Sequence, residues 1–219
     1  MTEKFIVLDT ETTNSLDDPI VYDLGWAVVD KNGEVYESYS FAVADIFLDK
    51  EMMKSAYFAE KVPQYWDEIK NGDRILARFA NIRKIFLNCV KANNVKKFFA
   101  HNMRFDYRSL NLTQRFLTSS KYRFFFPYGA EICDTLKMSR QVLKNNVDYD
   151  NFCWDNNYLT KRNCKRYTAE ILYRFITKDL QFEEEHKGLA DVLIEKEILR
   201  FCFQEMEEVE CHLWKDEEE

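Results

Sequence analysis

The stretch Phe5-Ile-Val-Leu-Asp9-Thr-Glu11-Thr-Thr13 decides how the chain is read. Its short apolar run, closed by an aspartate, fits a buried strand over Phe5 to Thr10. Residues i and i+2 of a strand point to the same side, so Asp9 and Glu11 project together from its end. Carboxylates side by side repel unless a cation neutralises them or one keeps its proton. Two hard oxygen donors on a rigid edge suit Mg²⁺ or Mn²⁺. Taken alone, the pair reads equally well as a solvated strand end.

Working outward, Ile20 to Asp30 and Glu34 to Val43 read as two more strands flanking Lys31-Asn32-Gly33. Asn-Gly is a strong hairpin signal, so the chain opens as an antiparallel meander. The segment Ser55 to Lys70 is ambiguous and partly helical. Asp73 to Asn94 carries a helical apolar stripe. A strand at Lys96 to His101, a helix at Phe105 to Leu117 and a strand at Ala130 to Cys133 follow. Asp134 reads as the cap of a helix over Thr135 to Leu143. A helical hairpin is expected over Asp148 to Lys178, and a long helix from Lys187 to Leu213. Strands alternating with helices imply parallel pairing, so the expected fold is α/β: a mixed five-stranded sheet flanked by helices. The expected organisation is one domain over residues 1–214 and an acidic, disordered tail over 215–219.

Composition narrows the chemistry. The five glycines among 219 residues are never closer than eight positions, which excludes a G-x-G-x-x-G or Walker A phosphate loop. There is no G-x-S-x-G elbow for a serine hydrolase. No apolar stretch is long enough for a membrane span, and the N-terminal apolar run is too short for a signal peptide. The six cysteines form no C-x-x-C pair, so reduced thiols in a cytoplasmic protein are expected. Zinc on Cys153 and Cys164, or on Cys202, Cys211 and His212, would match no standard spacing. Lys and Arg number 31 against 38 Asp and Glu, a net charge of −7, which is not the obvious profile of a nucleic-acid binder.

Two further segments carry acids. Asp106 closes Phe98-Phe-Ala-His-Asn-Met-Arg-Phe-Asp106, where a strand ends and a helix begins. On its own it reads as an ordinary first-turn acid favoured by the helix dipole. His186 and Asp191 lie in Glu183-Glu-Glu-His-Lys-Gly-Leu-Ala-Asp191. Within one helix they would stand about 140° apart, so they converge only if His186 precedes the helix. Asp191 lies among Leu189, Val192 and Leu193, and a buried acid without a partner is costly.

Together, Asp9-Thr-Glu-Thr-Thr13, then Ala100-His-Asn with Phe105-Asp106, then His186 with Asp191 resemble the three motifs of the DnaQ-like 3′–5′ exonucleases of the DEDDh type. The resemblance spans roughly residues 4 to 201. It departs at Asn14, where glycine is common, and at Gly188, where alanine is usual and where glycine should weaken the helix. The resemblance implies a ribonuclease-H-like fold and release of nucleoside 5′-monophosphates from 3′ ends. It implies two Mg²⁺ or Mn²⁺ ions, one on Asp9, Glu11 and Asp191, the other on Asp9 and Asp106. His186 would be the general base, its ordinary pKa near 6.5 suiting work around neutrality. Thr12, Thr13 and Asn102 would meet the terminal nucleotide. Asp134 could also face the substrate.

Two basic and aromatic clusters, Lys121-Tyr-Arg-Phe-Phe-Phe126 and Lys161-Arg162 through Tyr167, combine charge with stacking surface as single-strand grooves do. They read equally as core phenylalanines with a solvated cationic face. Single-stranded DNA 3′ ends are the favoured partner, with RNA 3′ ends the alternative. A non-catalytic binding module would be expected to lack one of the five motif residues, and all five are present. Oligomeric state is open. Two divalent ions and removal of the tail would together cancel the net charge of −7, so the acid excess is partly the metal site itself.

Overall fold

The computed structural model describes residues 2–119 and 121–206. The opening meander is β1 (Phe5–Thr13), β2 (Ile20–Val29) and β3 (Val35–Val43), all antiparallel. The β2–β3 turn is tied by Asp30, whose carboxylate accepts from the backbone N–H of Asn32 and Glu34 at 2.8 and 3.2 Å. Gly33 supplies the left-handed residue at φ +78°. The short turns α1 (Ala44–Phe47) and α2 (Lys50–Met53) lead to α3 (Val62–Asn71). Next come β4 (Ile75–Ala77) and α4 (Phe79–Asn93). Then β5 (Lys97–Ala100), α5 (Met103–Leu117), β6 (Glu131–Asp134) and α6 (Thr135–Leu143) follow in alternation. The described chain closes with α7 (Val147–Asp155), α8 (Ala169–Thr177) and α9 (Gly188–Glu205).

The sheet has six strands, not five, in the order β4-β3-β2-β1-β5-β6. The strand missing from the sequence reading is β4, which pairs parallel to β3. Ile75 and Leu76 fit the apolar stripe of the following helix, so periodicity merged the two elements. They are separated at Arg78, whose backbone is extended (φ −66°, ψ 143°). Helix α4 then starts at Phe79, whose N–H donates to the distant Asp45 carboxylate at 2.8 Å. This cap is made by tertiary contact and is invisible to local sequence rules. The expected helix to Leu213 is described as far as Glu205, and its remainder, like the acidic tail, lies outside the described residues.

Strand alternation divides the core into two layers. Ile6 and Leu8 face Trp26, Phe41, Phe86, Phe98 and Leu110, on the side of α4 and α5. Phe5 and Val7 face Phe99, Val192, Ile198 and Leu199, on the side of α8 and α9. All ten residues of β2 are buried, as a strand covered on both faces must be. The same alternation sends Asp9 and Glu11 toward α9, and Thr10 toward α5. No helix among the described residues is long and apolar enough to cross a membrane.

The expected all-thiol set is corrected at one position. Cys89, Cys153, Cys164 and Cys202 are free, whereas Cys133 is disulfide-bonded.

Candidate active site

At the end of β1 the two layers meet. Asp9 sits in a ring of acids: burial first, then the charges of Asp106, Glu195, Asp191 and Glu11, push its carboxyl well above the usual carboxylate range. Asp106 arrives from the opposite face of the sheet, on the first turn of α5. It is 2% exposed and accepts the Thr10 hydroxyl at 2.8 Å, a contact possible because Thr10 points to that face. Burial raises Asp106 to about 7 despite that bond.

The third motif supplies the other wall. His186 precedes α9, with its backbone left-handed at φ +50°. For a residue with a Cβ this conformation is strained, and the surrounding contacts hold it. Glu11, His186 and Asp191 offer ligand atoms that all lie within 4.8 Å of one another. Asp191 is 4% exposed, its Oδ1 is buried without a hydrogen-bond partner, and burial and then Glu184 raise it to about 8. Burial, then Asp23 and Asp191, raise Glu11 to about 9, and Lys61 offsets only part. The imidazole of His186 stacks on Phe58 at 4.4 Å and 8°. Burial, with Lys61 nearby, holds His186 below the ordinary histidine pKa, so the ring is neutral at neutral pH.

Several members of the site were not foreseen. Glu195 is one turn beyond Asp191 on α9 and therefore on the same face. It is 3% exposed, and its Oε2 accepts the His101 backbone N–H at 3.1 Å. Burial, Asp106 and Asp191 push its carboxyl well up. The i, i+4 step from Asp191 was the available signal. Asp23, opposite Glu11 in the β1–β2 register, is fully buried. It pairs with Arg74, accepts the Tyr65 hydroxyl at 2.7 Å and accepts the Gly188 N–H at 3.0 Å. It thereby holds the first turn of α9. Glu68 extends the chain of charges, bonding Arg74 at 2.8 Å and Lys187 at 2.7 Å.

Glycine at 188 does not act as the sequence suggested. It is the first residue of α9, where helix propensity matters little, and it lies against Gly25 of β2. A Cβ on Gly188 would stand 2.6 Å from the Gly25 nitrogen, and one on Gly25 would stand 2.2 Å from the Leu189 nitrogen. The pair lets the helix start directly on β2 and on β1, the strand bearing Asp9 and Glu11. Asn14 takes a left-handed backbone at φ +67°, a conformation asparagine tolerates.

The remaining substrate candidates are spread along the rim. Thr12 is half-buried, while Thr13 is fully buried and its hydroxyl donates to the Ile20 carbonyl at 3.2 Å. Asn102 is exposed at the start of α5, with its N–H donating to Asp134 Oδ1 at 3.2 Å. Asp134 also caps α6, accepting from Leu136 N–H at 2.8 Å. Lys161 and Arg162 occupy the exposed tip of the 156–168 loop. It is the base of that loop that reaches the second motif, where the Tyr167 carbonyl accepts from His101 Nε2 at 2.7 Å. Among the described residues, Cys153 and Cys164 gather into no metal-binding group, while Cys211 and His212 of the second set lie outside the described residues.

Four buried carboxylates and the half-buried Asp9, all with raised proton affinity, and an orphaned Asp191 oxygen suit divalent cations, which would supply the missing counter-charge. The arrangement defines a ribonuclease-H-like sheet with an acidic site at the end of its first strand. No protein-family model matches the sequence, and no curated protein matches it either. Solved structures do. E. coli exonuclease I in complex with a dT13 oligonucleotide superposes with a TM-score of 0.56 at 13% identity, over 93% of this chain and 41% of that one. Its complex with a dA16 oligonucleotide gives 0.56 at 10% identity, over 94% and 42%. The zinc-ion-bound form of its single-stranded DNA complex gives 0.50 at 12%, over 90% and 39%. The chain thus shares the fold of exonuclease I and spans about two fifths of its length.

Proposed function

We propose that the chain is a divalent-metal-dependent 3′–5′ exonuclease of the DnaQ-like DEDDh type, acting on single-stranded DNA and releasing nucleoside 5′-monophosphates. The observation that carries this reading is the meeting of Glu11, His186 and Asp191 beside half-buried Asp9 and buried Asp106. Asp9, Glu11 and Asp191 would hold one Mg²⁺ or Mn²⁺ ion, and Asp9 with Asp106 a second. Such ions supply a nucleophilic water at neutral pH and offset charge on the phosphate.

The protein's own groups have distinct tasks. His186, kept neutral by burial and Lys61, accepts the proton of the attacking water. Phe58 fixes the plane of its ring. Thr12 and Asn102 line the rim where a terminal nucleotide would enter. Thr13 acts through its main chain, since its hydroxyl is engaged by Ile20. Lys161 and Arg162 offer charge to backbone phosphates. The choice of DNA rests on the deoxyribo-oligonucleotides held by exonuclease I.

The test is a competition between 3′-labelled single-stranded DNA and RNA of one sequence, with Mg²⁺ or Mn²⁺ present. DNA is expected to be degraded the faster. Faster degradation of RNA would overturn the substrate assignment, and no degradation of either would overturn the function.

A further inference from the structure

Away from the carboxylates, a groove of about 620 Å³ opens between α4, α5 and the 121–130 segment. Three cations line it, Arg83, Lys121 and Arg123, and no acid does among the described residues. In a chain of net charge −7 this is a local reversal of sign. The groove also presents aromatic faces. Tyr122 is 65% exposed, Phe124 52%, and Tyr128 wholly exposed.

These rings are displayed by a fixed backbone. Phe125 and Phe126, the other half of the cluster, are buried in the core, with Phe126 stacked on Tyr107 at 5.4 Å and 15°. The Phe125 N–H donates to Asn111 at 2.8 Å, and its carbonyl accepts from Arg83 at 3.0 Å. The Tyr122 carbonyl accepts from Gln114 at 3.1 Å. Main-chain anchors on both helices thus hold Tyr122 and Phe124 outward, with Arg115 lying over the Phe124 ring at 5.6 Å. Rings held at the surface beside cations form a patch of the kind that marks an interaction site. Flat faces alternating with cations match stacked bases and their phosphates. The groove and the carboxylate site share helix α5, since Tyr107 lines the groove and Asp106 is the preceding residue.

We propose that this groove binds the upstream part of a single nucleic-acid strand whose 3′ end lies in the carboxylate site. The proposal rests on the exonuclease reading for the position of the 3′ end, but binding in the groove needs no turnover. Bases stack on Tyr122, Phe124 and Tyr128, while Lys121 and Arg123 meet phosphates.

The test is fluorescence anisotropy of a labelled dT20 and a labelled dT3 with the full chain in chelator. Wild type is compared with Tyr122→Ala/Phe124→Ala and with Lys121→Gln/Arg123→Gln, each first shown to melt as wild type does. The aromatic pair is expected to weaken dT20 binding roughly tenfold or more. The effect on dT3, which reaches only the 3′-end site, is expected to be under about twofold. The cation pair should flatten the salt dependence of dT20 binding by about 1.4 in log–log slope. Unchanged dT20 affinity in both variants would overturn the proposal and assign the patch to a protein partner. Groove-dependent binding of dT20 without any digestion in Mg²⁺ would leave the groove standing and overturn the exonuclease reading.

Discussion

Gly25 and Gly188 meet so closely that a Cβ on Gly188 would stand 2.6 Å from the Gly25 backbone nitrogen. That contact sets where α9 begins, and so where His186 and Asp191 stand relative to Asp9 and Glu11. Gly188→Ala must push the helix off the sheet. We expect a loss of about 1–3 kcal/mol in stability, read by urea denaturation. Displacement of reacting groups by about 1 Å costs on the order of a hundredfold in rate, so turnover should fall further than stability alone explains. A variant of wild-type activity would show that the contact is not what positions the site.

The same helix start is held by Asp23, which accepts the Gly188 N–H while paired with buried Arg74. Removing one partner of such a pair leaves a charge buried without compensation. Arg74→Met should cost about 3–5 kcal/mol, and Asp23→Asn/Arg74→Met should recover much of it. A double-mutant cycle by chemical denaturation gives the coupling, and purely additive losses would contradict the pairing.

Glu195 adds a fifth carboxylate behind Asp9, Asp106 and Asp191. Glu195→Gln keeps an acceptor for the His101 N–H and removes one negative charge. The expected result is a folded protein that is more stable than wild type in chelator at pH 8 and binds Mn²⁺ roughly tenfold more weakly. Calorimetric titration reads the affinity, and unchanged Mn²⁺ binding would confine Glu195 to a structural part.

The pH dependence of stability follows from the raised carboxyls: Asp106 at about 7, Asp191 at about 8 and Glu11 at about 9. A carboxyl whose folded pKa lies above its unfolded value favours folding while it is protonated. That contribution is full below about pH 4 and fades as pH rises through the folded values. In chelator the melting temperature should therefore fall between pH 6 and pH 9. Added Mg²⁺ should raise it more at pH 8 than at pH 5.5, with protons released on binding. A melting temperature that climbs toward pH 9 in chelator would contradict this account.

Much of the site could be read from the sequence because its signals are local. Asp9 and Glu11 end an apolar run, and strand alternation alone puts them on one side. Asp134 shows its capping role in its own sequence and does cap α6. The features that escaped are tertiary. Strand β4 shares its apolar residues with the helical stripe that follows, and only pairing with β3 and the Asp45 cap divide them. Asp23 looks like a polar residue in a strand until Arg74 and Tyr65 arrive from distant elements. Gly188 looks like a helix defect until Gly25 lies opposite it.

The central claim is tested most directly by a time course on a 5′-labelled single-stranded DNA 20-mer in Mg²⁺. Wild type should generate a descending ladder of labelled products, and chelator or Asp9→Ala should abolish it. His186→Ala should slow it by at least about a hundredfold while dT20 binding persists. Digestion that survives Asp9→Ala, or release of the label at once as a mononucleotide, would contradict the account.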